Sequence, residues 1–284
     1  MHANLHRPRL SLIALILIAL WSLFAVQAWA EDTSPLRFGV VPQQSASRLA
    51  ALWVPLLTEL EQRGAPALVF RTAPDIPTFE RRLAAGEYDL AYMNPYHYTV
   101  FSQSPGYRAF AKARDQRIQG ILVTRRDSDL TALSDLEGAD LAFPSPAAFA
   151  ASILTRANLA SAGVSFQPHY VSSHDSVYRG VAKGLYPAGG GVVRTFESVA
   201  PDIREQLRIF WTSDGYTPHA FAAHPRLSEE TTSAIATAMI GLSEDETGRA
   251  LLEPLRLPGL EAAEDADWDD VRALDIQLLD DLIE

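Results

Sequence analysis

With 284 residues, 48% hydrophobic and 21% charged, the chain has the make-up of a soluble globular protein and the length of one large or two medium domains. A formal net charge of -11 excludes the surplus of Lys and Arg that sequence-independent nucleic-acid binding needs. The absence of cysteine excludes disulfides and a lipid-modified cysteine anchor. A small anion is not excluded, because it answers to local donors and not to net charge.

Residues 1–30 have the layout of a secretory signal peptide. A start carrying Arg7 and Arg9 and no acid leads into an apolar run over 10–26, which ends in an Ala28-x-Ala30 site before Glu31-Asp32. Cleavage is expected after Ala30, giving a periplasmic protein that is not a lipoprotein. Its loss moves the formal charge from -11 to -13. An uncleaved membrane anchor is the alternative, since the run is near the lower length limit for a spanning helix.

In the mature chain, "LRFGVVP" (36–42) reads as a short buried strand stopped by proline. Residues 47–64 carry apolar side chains at helical spacing between a serine and a glycine, with Pro55 predicting a kink or break. "ALVFRTAP" (67–74) is a strand, "IPTFERRLAAGEY" (76–88) a helix with Gly86 suited to a left-handed exit, and "YDLAYMNP" (88–95) a third strand. "PYHYTVFSQ" (95–103) starts another helix on proline. Two strands follow, 107–113 and 117–126, then a polar stretch. Alternation resumes with a strand at 140–146, a helix at 147–163, a strand at 166–173 and a helix at 174–185. "AGGGVVRT" (188–195) is a further strand candidate, followed by a helix at 196–207 and a strand at 207–213. Residues 214–225 lead into helices over 228–257, and the acidic 261–275 reads as a solvated tail or helix face.

This alternation predicts mostly parallel sheets covered on both faces, an α/β protein. Two βα runs suggest two lobes: 31–122 and 219–284 forming the first, 123–218 the second. The chain would then cross twice between them, near Gly120–Thr124 and near Tyr216–Ala222, and such paired crossovers form a hinge.

In open sheets of this kind ligands bind outside the carboxyl ends of the strands. The turns there hold Gln43 and Gln44; Tyr92, Asn94 and Tyr96; Ser145, Ala147 and Ala148; His174 and Asp175; and Arg194 and Thr195 after a triple glycine. These are the candidate ligand-binding residues, and an anion is their natural guest at helix starts. Each residue also has a structural alternative. Ser145, Ser173 and Asp175 resemble helix caps, the tyrosines resemble buried rings, the glycines suit a sharp turn or a close lobe contact, and Arg194 has Glu197 as an ion-pair partner. Catalytic readings are weaker. The glycines lack the Gly-Lys-Ser/Thr of a P-loop, there is no G-x-S-x-G elbow, and His169 and His174, like His219 and His224, are five apart and not at the i, i+4 spacing of a zincin. No cofactor or metal is expected.

The opening "LRFGVVPQQSASRLAALWVPLLTELEQ", the "YDLAYMNPYHY" strand exit, "SDLEGADLAFPSPAAFAASIL" and "SSHDSVYRGVAKG" resemble the PhnD-like phosphate/phosphite/phosphonate substrate-binding proteins of ABC transporters. The likeness spans about residues 36–260, and the order of these short motifs carries it. It implies the two-lobed type 2 periplasmic-binding-protein architecture, with a ligand cleft between lobes joined by two hinge crossovers, and no catalysis. It also implies that Tyr92, Asn94, Tyr96, the 145–148 turn, His174 and Asp175 contribute to the pocket. The phosphonate binders carry a Ser-Thr-Ser-Gly-like run at the second-lobe helix start, where this chain has Pro144-Ser145-Pro146-Ala147-Ala148-Phe149. Phosphate, another oxyanion or a different small polar molecule therefore stands beside phosphonate as the ligand. The expected partner of a monomeric receptor is an inner-membrane ABC permease. The alternatives are a membrane signalling protein reading the same closure and, from another class, a secreted enzyme acting on a small anion.

Overall fold

The structure is a computed structural model and describes residues 34–283; the signal-peptide reading of residues 1–30 lies outside them. Two mixed sheets organise these residues. The first has strand order β11-β4-β10-β3-β1-β2 and the second β7-β6-β8-β5-β9.

The first sheet begins as read. Strand β1 (Leu36–Val40) pairs in parallel with β2 (Leu68–Arg71) and β3 (Leu90–Met93). Helix α1 (Ala46–Gln62) connects β1 to β2, and α2 (Ile76–Ala84) connects β2 to β3. The first of these runs through Pro55 as one helix and buries Leu49, Trp53, Leu56, Leu57 and Leu60. Its first turn is capped by Ser45, two residues earlier than the pattern suggested. Helix α3 (Pro95–Phe101) follows β3, with Asn94 accepting the His97 N–H at 2.8 Å as its cap. The rest of this sheet is antiparallel: β10 (Ala220–Ala223) lies between β3 and β4 (Arg108–Ala113). The mostly parallel pairing expected thus holds only for β1–β3: β4 follows α3 and runs in the direction of β3, but β10, arriving from the 217–219 passage without a crossover helix, inserts antiparallel between them.

In the second sheet β6 (Ala139–Phe143) pairs in parallel with β7 (Phe166–Tyr170) and β8 (Ala188–Val192). Strand β5 (Ile118–Arg125) runs antiparallel to both β8 and β9 (Leu207–Tyr216). The chain passes between sheets at 114–117 and 217–219. Strand β5 takes in the 120–124 stretch where the sequence suggested a crossing, since the two strands stand close together and hydrophobicity alone does not say which sheet each joins. Helix α5 (His174–Ala182) follows β7 and is capped by Ser173. The stretch after β8 is two short helices, α6 (Val193–Ser198) and α7 (Pro201–Arg204), divided at Pro201.

The helix after β6 departs from the expected form. It opens as a π-helical turn, Phe149–Leu154, with no side-chain cap, and only then becomes α4 (Thr155–Ser161). The turn lies on β5 and β8 so closely that a Cβ on Gly190 would sit 1.9 Å from the Ala151 carbonyl oxygen, and one on Gly120 2.2 Å from that of Ala150. Both glycines are required by this approach. The triple glycine is therefore a strand interior under a helix. From the same turn Ala147–Ala151 and Leu154 pack with Trp53, Tyr92 and Phe221 of the first lobe in one continuous core.

The acidic end is not a solvated tail. After α8 (Glu229–Ile240) and α9 (Glu246–Leu252), β11 (Leu260–Ala262) extends the first sheet by pairing with β4. Helix α10 (Asp269–Arg272) follows, and Trp268 just before it is fully buried, donating from Nε1 to the Pro218 carbonyl at 2.9 Å. Beside it Asp270 accepts from Arg117 at 2.7 Å and from the Thr217 N–H at 2.9 Å. One short segment thus holds both passages between the sheets. Its apolar content is a few residues between acids, too short for a periodic pattern to show. Trp268→Ala is expected to lower stability by about 3–5 kcal/mol, read as a shift in the urea unfolding midpoint. A loss under about 1 kcal/mol would show that the segment does not brace the passages.

Candidate functional site

The cleft lies where the carboxyl ends of β1 and β3 face the starts of the second-lobe helices. Polar contacts cross it. The His174 N–H donates to the Gln43 carbonyl at 3.2 Å, and Asn94 Nδ2 donates to the Ala147 carbonyl at 3.2 Å. Arg194 donates to Gln43 Oε1, and Arg48 donates to the Ser198 carbonyl. Between the lobes a chamber of about 10 Å³ is lined by Gln43, Asn94, Ala148, Phe149, His174 and His219, among others. Past Ile118, Val192 and His219, which line both spaces, the cleft widens into a cavity of about 820 Å³ that includes Tyr92 and Arg194 in its wall.

Arg194, at the start of α6, faces Tyr92 from the other lobe with its guanidinium 5.7 Å from the ring centroid. It forms no ion pair with any described carboxylate, and Glu197 instead lies 3.9 Å from Arg256. Tyr92 also stacks on His219 at 4.9 Å and on Trp53 at 4.9 Å. Burial, and secondarily the Arg194 charge, push the His174 imidazole down to about 3. The same two causes hold His219 well below the usual histidine range. His174 Nδ1 shares a hydrogen bond of 3.1 Å with Thr195 Oγ1, whereas His219 Nε2 is buried with no described partner. The inner end of the site therefore offers two neutral imidazoles and the Arg194 guanidinium, and Arg117, Arg249 and Arg256 also line the wider cavity.

The sequence candidates divide accordingly. Gln43, Asn94, Ala148 and His174 line the chamber, and Tyr92 and Arg194 line the wider cavity. Ala147 contributes its carbonyl to Asn94. Thr195 stands behind His174, its hydroxyl 2.7 Å from the Tyr178 hydroxyl. Gln44 and Ser145 are buried beside the cleft, with Gln44 Nε2 and Ser145 Oγ lacking a described partner, and neither lines a cavity. Asp175 lines neither the chamber nor the wider cavity; burial raises its pKa against the pull of Arg48, Arg179 and the Ser45 backbone N–H from the other lobe. Tyr96 also turns from the cleft: its hydroxyl accepts the Leu279 N–H at 2.9 Å, and burial pushes it up to about 12. Tyr98 and His97 likewise serve the first lobe, bonded to Asp265 at 2.7 Å and Glu80 at 2.9 Å. His219 was not singled out as a ligand residue. The available signal was its position in "TPH", at the return passage between lobes.

Two α/β lobes meeting across a cleft give the fold of the type 2 periplasmic binding proteins. A family model described as ABC transporter, phosphonate, periplasmic substrate-binding protein matches residues 38–268, and the chain belongs to that family. The family is one of periplasmic transport binding proteins, and no described helix is long and apolar enough to cross a membrane. The chain is similar to the phosphate-import protein PhnD of Mycolicibacterium smegmatis, 23% identical over 280 residues and covering 84% of each chain. It is also similar in fold to PhnD1 of Prochlorococcus marinus in complex with methylphosphonate, with a TM-score of 0.77 and 17% identity over 86% of this chain and 97% of that one. A binding-protein component of an ABC phosphonate transporter from Pseudomonas aeruginosa gives a TM-score of 0.77 and 17% identity, covering 85% of each.

The histidines predict a pH dependence. His174 is neutral in the folded protein down to about 3 but takes a proton near 6.5 when unfolded. Its contribution is complete above pH 6.5 and is lost as pH falls from there toward 3, at up to about 1.4 kcal/mol per unit. His174→Gln should flatten this slope in urea unfolding midpoints taken between pH 7 and 4. An unchanged slope would show that this imidazole is not held neutral.

Proposed function

We propose that the chain captures a small oxyanion, a phosphate or phosphonate-like group, between its lobes by hinge closure and delivers it to an ABC permease of the inner membrane. The observation that carries this reading is Arg194: a half-buried cation reaching across the cleft with no described carboxylate to neutralise it. A cation left in that position favours an anionic guest. Neutral His174 and His219 add ring N–H groups, and Gln43 and Asn94 add amides that an oxyanion can exchange for their present partners.

Closure follows from differential affinity. A ligand touching both lobes binds the closed form more tightly than the open one, and that difference drives the hinge. The bending points are placed at 114–117 and 217–219, between strands of different sheets. In this reading the lobes are 31–122 with 219–284, and 123–218, with the first boundary moved back to the passage before β5. The chain is exported with removal of residues 1–30 and works as a monomer without enzymatic turnover.

Thermal unfolding against phosphate, methylphosphonate, phosphite and sulfate tests the reading. A ligand at a hundred times its dissociation constant adds about 2.7 kcal/mol, and Arg194→Ala should remove most of that shift while leaving the unliganded midpoint near wild type. No shift with any anion, or equal shifts in the variant, would overturn the oxyanion reading.

A further inference from the structure

The two parts of the cleft differ in what they can hold. The inner chamber, about 10 Å³, has room for about one water. It is filled by Phe149 and its alanine neighbours, and these belong to the core shared by the lobes. Outside it the cavity of about 820 Å³ is of the size that takes whole organic ligands. An inorganic oxyanion on Arg194 would leave most of that space to water.

The wall is mixed in chemistry. At the inner end stand Arg194, the Tyr92 ring and His219, whose Nε2 has no described partner. Elsewhere Val193, Ala250, Leu257 and Pro258 add apolar surfaces, and Arg117, Glu197, Glu246, Arg249, Glu253 and Arg256 add charges of both signs. An anionic head on Arg194 with an organic body that meets both apolar and polar surfaces matches this lining.

Resting on the oxyanion reading above, we infer that the ligand is an organic phosphate or phosphonate whose substituent is much larger than methyl. Its head sits on Arg194 beside His219, and its body lies over Tyr92 and along α9. Specificity over inorganic phosphate comes from the apolar parts of the cavity wall, where burial of the substituent adds affinity that a bare anion lacks.

Isothermal titration with inorganic phosphate, methylphosphonate, phenyl phosphate and adenosine 5′-monophosphate tests this on the mature chain. At least one of the two esters should bind at least tenfold more tightly than phosphate and methylphosphonate. Ala250 is exposed on α9 and lines the cavity, so Ala250→Trp fills the space without disturbing the core. That variant should weaken the favoured ester at least tenfold and leave phosphate unchanged, whereas Arg194→Ala should weaken both. Equal affinities for esters and phosphate, or an ester indifferent to Ala250→Trp, would overturn the inference and leave the oxyanion reading standing. Binding of none of the four would remove both.

Discussion

The arrangement of this molecule turns on the apolar contact between the 147–154 segment of the second lobe and the core of the first. Burying a side chain such as Phe149 is worth about 1.5–3 kcal/mol, and this one is 1% exposed with its edge against Tyr216, at 5.6 Å between centroids. The contact is possible because the π-helical turn sinks onto Gly120 and Gly190. A side chain at either glycine would hold the turn off the sheet and leave Phe149 short of its pocket. The closed state thus rests on dispersion and hydrophobic burial as well as on hydrogen bonds across the cleft.

That apolar closure shapes the electrostatics. Taking the cleft floor out of water keeps His174 and His219 neutral, so the positive character of the site comes from Arg194. The guanidinium sits over the Tyr92 ring and bonds Gln43, a setting that orients it without cancelling its charge. Dry walls strengthen the attraction of such a group for an anion. The same walls explain why the site lacks the hydroxyl-rich cradle expected of a phosphonate binder: Ala147 and Ala148 serve packing there, and the one serine, Ser145, is buried beside them.

Much of the fold was legible from local signals. Proline-stopped strands, the Asn94-Pro95 helix start and the Ser173 cap have causes that lie within a few residues, so the βα order and the strand-end candidates could be read directly. Tyr92, Asn94, His174 and Arg194, read that way, line the two spaces of the cleft. Features that depend on distant partners were not legible. Tyr96 looks like a cleft residue until its hydroxyl is seen to hold Leu279, 183 residues away. The π turn depends on two glycines in other strands, and the assignment of β5 to the second sheet depends on pairing with β8 and β9. His219 has an ordinary sequence context and becomes notable only when Tyr92 stacks on it.

The acidic C-terminal segment deserves its place in the mechanics for a separate reason. Asp270 ties Arg117 on the outward passage to Thr217 on the return, and Trp268 fastens Pro218 between them. The stiffness of the joint is therefore set by Asp270 and Trp268, which line neither space of the cleft, acting through Arg117 and Pro218, which line the wider one. Exchanges there would change how fast the jaws part, and so how long a captured molecule is retained, while the contacts that recognise it stay as they are. Grip and release are written in different parts of the chain.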